Sequence, residues 1–181
     1  MPRMPRHWLV KSEAKCYSID DLARDGSTCW DGVRNYQARN FLRDEMSVGD
    51  LVLFHHSNGD PSGVAGIAKV VRGAYVDHTA FDRGHQHYDP KSSREDPAWV
   101  MVDLAFVERF PEIVALARLK AEPALAGMLL LRPGQRLSVM PVEGAHFERV
   151  CALGRSPAAA RKKIPKPRGG AAKAARSPKR R

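Results

Sequence analysis

Apolar residues come in short bursts separated by polar turns, and the spacing within the bursts changes along the chain. His7-Trp8-Leu9-Val10 reads as a first short strand. In Tyr17-Ser18-Ile19-Asp20-Asp21-Leu22, Ser18 followed three residues later by Asp21 is a helix N-cap signature, and Gly26 ends that short helix. Residues 35–44 have helical character, with Phe41 and Leu42 facing inward. Gly49-Asp50 turns into Leu51-Val52-Leu53-Phe54, a continuous apolar run typical of a buried strand. Strands are expected over 64–71 and 74–76, broken at Arg72-Gly73. The polar stretch 77–98 reads as a long surface loop, and 99–107 alternates as a strand. Two short helices, 111–120 and 123–131, each open on a proline where proline is tolerated. A strand over 137–142 and a closing helix over 146–153 complete the pattern, with no internal repeat.

About six strands among few, short helices do not suit a doubly wound parallel sheet. They predict an α+β fold: a mixed sheet curled into a small barrel, with short helices around it. No apolar run approaches the roughly 18 residues of a membrane helix. The start, Met-Pro-Arg-Met-Pro-Arg, lacks the apolar core of a secretory signal. No membrane partner and a cytoplasmic location are expected, nucleoid-associated in a bacterium or nuclear in a eukaryote. Cys16, Cys29 and Cys151 are widely spaced with no Cys-x-x-Cys pair, which fits reduced thiols rather than a structural zinc site.

Charge changes the picture. From Arg155 onward the chain carries eleven Lys or Arg and no Asp or Glu, so the 30 basic and 20 acidic residues leave 19 and 20 before that point. The net charge of +10 therefore belongs to a tail, and the body is close to neutral. The expected division is a domain over 1–154 and a disordered Lys/Arg/Pro/Ala-rich tail over 155–181, in which Lys162, Lys163, Lys179 and Arg180 are candidate nucleic-acid contacts.

The most suggestive segment is Trp30-Asp31-Gly32-Val33-Arg34-Asn35-Tyr36-Gln37-Ala38-Arg39. Trp30 offers a flat face for stacking on a Gly-containing loop before a helix. Asn35 can donate and accept together, as a base edge requires. The competing reading is a core tryptophan with Asn35 capping the helix. Lys11-Ser12-Glu13 could rim a pocket at a strand end or form a solvated turn. His55 and His56 are adjacent in a strand, so they point to opposite faces and make poor joint metal ligands. No Gly-x-Ser-x-Gly, P-loop or dinucleotide signature occurs. The one cluster with catalytic or metal-binding spacing is His78, Asp82, His85, His87 and Asp89, in the polar loop.

In order, these segments resemble the EVE domain family from Trp8 to Leu153. The resemblance runs through Trp8 to Glu13, Tyr17-Ser18, Asp21-Leu22, the ten residues from Trp30, Gly49-Asp50, Phe54 to Asn58 and Gly63 to Val71. It continues through Tyr88 to Ser92, Trp99, Leu119-Lys120, Met128 to Arg132 and Arg136 to Val139. It implies a PUA-like fold and a reader of modified bases in DNA or RNA. Trp30 would stack on the base, with Asn35, Ser12, Lys11, Ser57 and Val33 around it. Arg34, Arg39 and Lys91 would reach phosphates. Three positions depart from the family pattern: His7, Ala14, and His55-His56 where a Tyr-His pair is usual.

The expected function is thus nucleic-acid binding with recognition of a modified base, no catalysis, no cofactor and no metal. The rival readings are a nuclease or other nucleic-acid-modifying enzyme built on the His/Asp loop, and a chromatin-compacting protein driven by its tail.

Overall fold

Strand formation follows the β-branched and aromatic runs, and the sheet they build is open. The computed structural model describes residues 3–156. The tail beyond Ser156, with Lys162, Lys163, Lys179 and Arg180, lies outside the described residues. Six strands, β1 (His7–Glu13), β2 (Ser27–Trp30), β3 (Leu51–Ser57), β4 (Gly63–Val76), β5 (Val100–Ala115) and β6 (Val139–Val142), lie in the order β2-β5-β4-β3-β1-β6. β1 and β3 are parallel and every other pairing is antiparallel, giving the mixed sheet that was expected, without closure into a barrel. The α-helices are α1 (Ile19–Asp25), α2 (Tyr36–Asn40), α3 (Leu116–Lys120) and α4 (Gly144–Arg155).

Side-chain alternation divides the sheet into two faces. On one, Trp8 lies against Phe41, in the π turn that continues α2, and Phe54 meets Trp30. On the other, His7 stacks on Phe147 of α4 at 4.2 Å. Trp8 is fully buried and its indole donates to Asp50, whose carboxylate also accepts from the backbone N–H of Arg6 and Ser47. That carboxylate fixes where β1 begins beside β3.

Several elements differ from expectation for identifiable reasons. Ser27–Trp30 is a strand, so Trp30 ends β2 instead of sitting on a loop. β4 is continuous through Arg72-Gly73, where its register with β5 shifts. β5 runs on through Pro111 to Ala115, so only Leu116–Lys120 is helical. Pro111 is tolerated because it falls between the pairings Gly66↔Arg109 and Val64↔Val114, inside a bulge. β4 lies very close to β5 here: a Cβ at Gly63 would meet the Val114 carbonyl oxygen at 2.2 Å. Residues 123–131 form two 3₁₀ turns, Pro123–Leu125 and Leu129–Leu131, separated at Gly127 with φ +89°. α4 extends to Arg155, whose guanidinium forks onto Glu108 of β5 at 2.7 and 3.0 Å, so this residue belongs with the body.

Candidate functional site

Trp30 is 8% exposed and packs edge-on to Phe54, with ring centroids 5.4 Å apart. What remains open of it borders a cavity of about 270 Å³ shared with Tyr17, Cys29, Asp31, Gln86 and His87. The walls come from three places: the turn after β1, the end of β2, and the polar loop after β4.

The polar loop is held there by Asp77, a fully buried residue. Its carboxylate accepts from the Gly32 N–H at 2.9 Å, from Arg34 at 2.7 Å, and from the Thr79 N–H and hydroxyl. Burial opposes the charge, but the Thr79 hydroxyl, Arg34 and the Gly32 amide outweigh it and hold the carboxyl below its ordinary value. Arg34 also donates to the His87 carbonyl oxygen. Gly32 has φ +75°, and a Cβ there would meet the His87 ring at 2.4 Å. Glycine is therefore required at position 32 both by backbone conformation and by the imidazole lying against it. Asp89 accepts the Trp99 indole N–H, and Trp99 stacks on Tyr36 with centroids 4.8 Å apart. The loop expected to run over the surface is thus tied down at Asp77 and Asp89.

Asp31, His85 and His87 each present one ligand atom within 4.8 Å of the others, so they are the described residues best placed to hold a metal ion. The His87 Nδ1 is buried without a hydrogen-bond partner, while His85 Nδ1 accepts from the His87 N–H at 3.1 Å. Of the loop cluster read from sequence, only His85 and His87 come together. His78 is exposed, Asp82 accepts from the Gly84 N–H, and Asp89 is engaged by Trp99.

The other expected site residues are dispersed. Asn35 is exposed and caps α2, its Oδ1 accepting from the Ala38 N–H at 3.0 Å. Val33 is buried in the core. Ser12 donates to the Tyr17 carbonyl oxygen at 2.7 Å, which fixes the turn carrying Tyr17 to the Trp30 cavity. Lys11 and Ser57 border a different cavity. Arg39 donates to the Ala98 carbonyl oxygen and to Asn40, and Lys91 is exposed.

A family model described as the EVE domain matches residues 6–153. The chain belongs to the EVE domain family. Human thymocyte nuclear protein 1 is 42% identical over 171 residues, which is 84% of this chain and 76% of that protein. A hypothetical protein from Leishmania major has the same fold with a TM-score of 0.80 at 46% identity, covering 83% of this chain and 95% of the other. The structure of human THYN1 protein in complex with 5-methylcytosine-containing DNA aligns with a TM-score of 0.77 at 42% identity, covering 84% and 99%. No described helix of this EVE domain is long and apolar enough to cross a membrane. All three cysteines are free, and burial pushes the Cys151 thiol up to about 11.

Sequence reasoning missed Asp77, Gly32 and Gln86 as parts of the site. Asp77 had only a weak signal, an acid at the junction of an apolar strand and a polar loop. Gly32 lay inside the segment already singled out, but its constraint depends on a residue 55 positions away.

Proposed function

We propose that this EVE domain binds nucleic acid and takes one modified base into the cavity beside Trp30. The observation carrying the reading is the pairing of that cavity with a relative, at 42% identity, described in complex with 5-methylcytosine-containing DNA. The volume of about 270 Å³ suits a single base more than an extended ligand. Aromatic stacking contributes roughly 1–3 kcal/mol per base. Asp31 supplies an acceptor suited to an exocyclic amino group such as that of cytosine. A base must leave its stack to enter, which costs a few kcal/mol and less when it is altered or unpaired. A methyl group filling an apolar part of the wall adds at most about 1–3 kcal/mol of discrimination. Selectivity is accordingly modest, and affinity must come from elsewhere on the molecule.

The ten Lys and Arg from Arg161 onward supply a salt-sensitive, sequence-independent attraction. Tethered to the body, they raise the local concentration of nucleic acid at the cavity. The protein is read as a binding module acting on DNA, with RNA as a second partner to be compared directly.

The test is binding of modified and plain oligonucleotides to wild type, Trp30→Ala and Trp30→Phe, with circular dichroism confirming that each variant folds. Loss of the preference in Trp30→Ala is expected. Unchanged affinity for every ligand would sink the assignment. The convergence of Asp31, His85 and His87 favours one other reading, metal-dependent cleavage. Labelled DNA and RNA incubated with divalent metals decide that point, since cleavage abolished by His85→Ala would replace the binding-module reading.

A further inference from the structure

The second cavity, about 480 Å³, lies on the opposite face of the sheet from Trp30. β1 and β3 pair in parallel with Lys11 beside His55 and Ser12 beside His56. Alternation then sends Ser12 and His56 toward the Trp30 side, where His56 Nε2 accepts the Ile19 N–H, and Lys11 and His55 toward the other. Lys120, Arg132 and Arg136 complete the wall of this second cavity, and no acid lines it. Among the described residues, none of these four cations forms an ion pair or donates a side-chain hydrogen bond.

His55 is 3% exposed, yet neither ring nitrogen has a hydrogen-bond partner. Buried polar groups are nearly always paired, and one left unpaired loses its hydration with nothing in return. Burial, with Lys11 and His56 nearby, lowers His55 to about 4, so the imidazole is neutral and offers one donor and one acceptor. Lys11 is itself lowered by burial. An apolar cavity would not gather four unpaired cations, and a carboxylate would not need so many. A tetrahedral phosphate accepts from several directions at once and matches arginine's fork.

We infer that the cavity bounded by Lys11, His55, Lys120, Arg132 and Arg136 is a phosphate-binding subsite, distinct from the Trp30 cavity, that takes a sugar-phosphate. It rests on the reading that the protein binds nucleic acid, but not on which cavity takes the base. The phosphate is either an internal phosphodiester of a strand crossing the end of the sheet or a terminal phosphate.

The test uses the full chain. Inorganic phosphate, added against chloride at matched ionic strength, is expected to shift the His55 ring resonances in a ¹⁵N-histidine spectrum, and Arg132→Gln/Arg136→Gln to abolish that shift. The same double variant, altered only at exposed positions, is expected to weaken oligonucleotide binding about tenfold or more. It should also flatten the plot of log affinity against log salt by about 0.7–0.9, the share of the slope that one phosphate left without its cations takes with it. Its preference for a modified base should stay intact. Weakening seen equally with 5′-hydroxyl and 5′-phosphate oligonucleotides identifies an internal phosphodiester, and weakening confined to the 5′-phosphate form identifies a terminal one. A silent His55 on phosphate addition, or an unaltered slope in the double variant, overturns the subsite. Trp30→Ala reads the other cavity: if it changes nothing while the double variant loses its slope, the base-pocket assignment fails and the phosphate subsite stands.

Discussion

The two cavities lie on opposite faces of the sheet and are built on opposite principles. The Trp30 side is assembled from distant segments and clamped by a buried carboxylate, Asp77, which satisfies the Gly32 amide, Arg34 and Thr79. The Lys11–His55 side is lined by cations that satisfy nothing in the described chain, over an imidazole with idle nitrogens. The difference teaches how to separate shape from charge. On the first side a substitution should act through rigidity and stability, and on the second through ligand attraction with little effect on folding.

Breaking the clamp should give the largest effect. Asp77→Ala strands Arg34 and the Gly32 amide, and removing one partner of a buried pair costs about 3–5 kcal/mol. Denaturant unfolding should show that loss, whereas Arg136→Gln, at an exposed position, should stay within about 0.5 kcal/mol of wild type. Comparable losses in the two would erase the contrast.

Acid probes the same contrast. His55 has a folded pKa of about 4 against an ordinary 6.5, so the unfolded chain takes up the proton first. Its stabilising contribution is complete above about pH 6.5 and is lost as pH falls toward 4, by up to about 3 kcal/mol. Asp77, held below its ordinary 3.8, contributes above that value and loses its contribution only at lower pH. Thermal melts between pH 7 and 4 should therefore be flatter in His55→Phe than in wild type.

Gly32→Ala should cost about 1–3 kcal/mol, because it forces a left-handed backbone and displaces the His87 ring. It should weaken base selectivity and leave the salt dependence of binding unchanged. On the Trp30 side the smallest effect is expected of Asn35→Ala: about 1 kcal/mol for a missing helix cap, measured by unfolding, with base preference retained. Loss of preference in that variant would return Asn35 to the base pocket and blur the line between the two regions.

Most of the sheet was legible because β1, β3 and the start of β4 carry dense apolar runs whose period needs no tertiary information. β2 was not. Its four residues are too few to show a period, and its pairing with β5 is what makes them a strand. The end of β5 was hidden by Pro111, which reads as a helix opener until a bulge gives it a place. At the site, Trp30 was legible as a single large aromatic in a specific segment, and the resemblance gave it a purpose. The grouping of Lys11 and Ser57 with Trp30 was a proximity read along the chain. Lys11 is one residue from Ser12, and alternation sends the two to opposite faces. Asp77 was illegible because its importance lies in the Gly32 amide and the Arg34 guanidinium, two donors brought from more than forty residues away by the fold.

The parallel register of β1 on β3 has a consequence for how this protein can vary. Lys11 and His55 face one cavity while Ser12 and His56 face away, so a single inserted or deleted residue in either strand would exchange the two faces. A lysine would then turn toward the tryptophan side and a serine toward the arginines. Changes of length are therefore closed to these two strands near residues 11 and 55, and only substitution can retune either cavity.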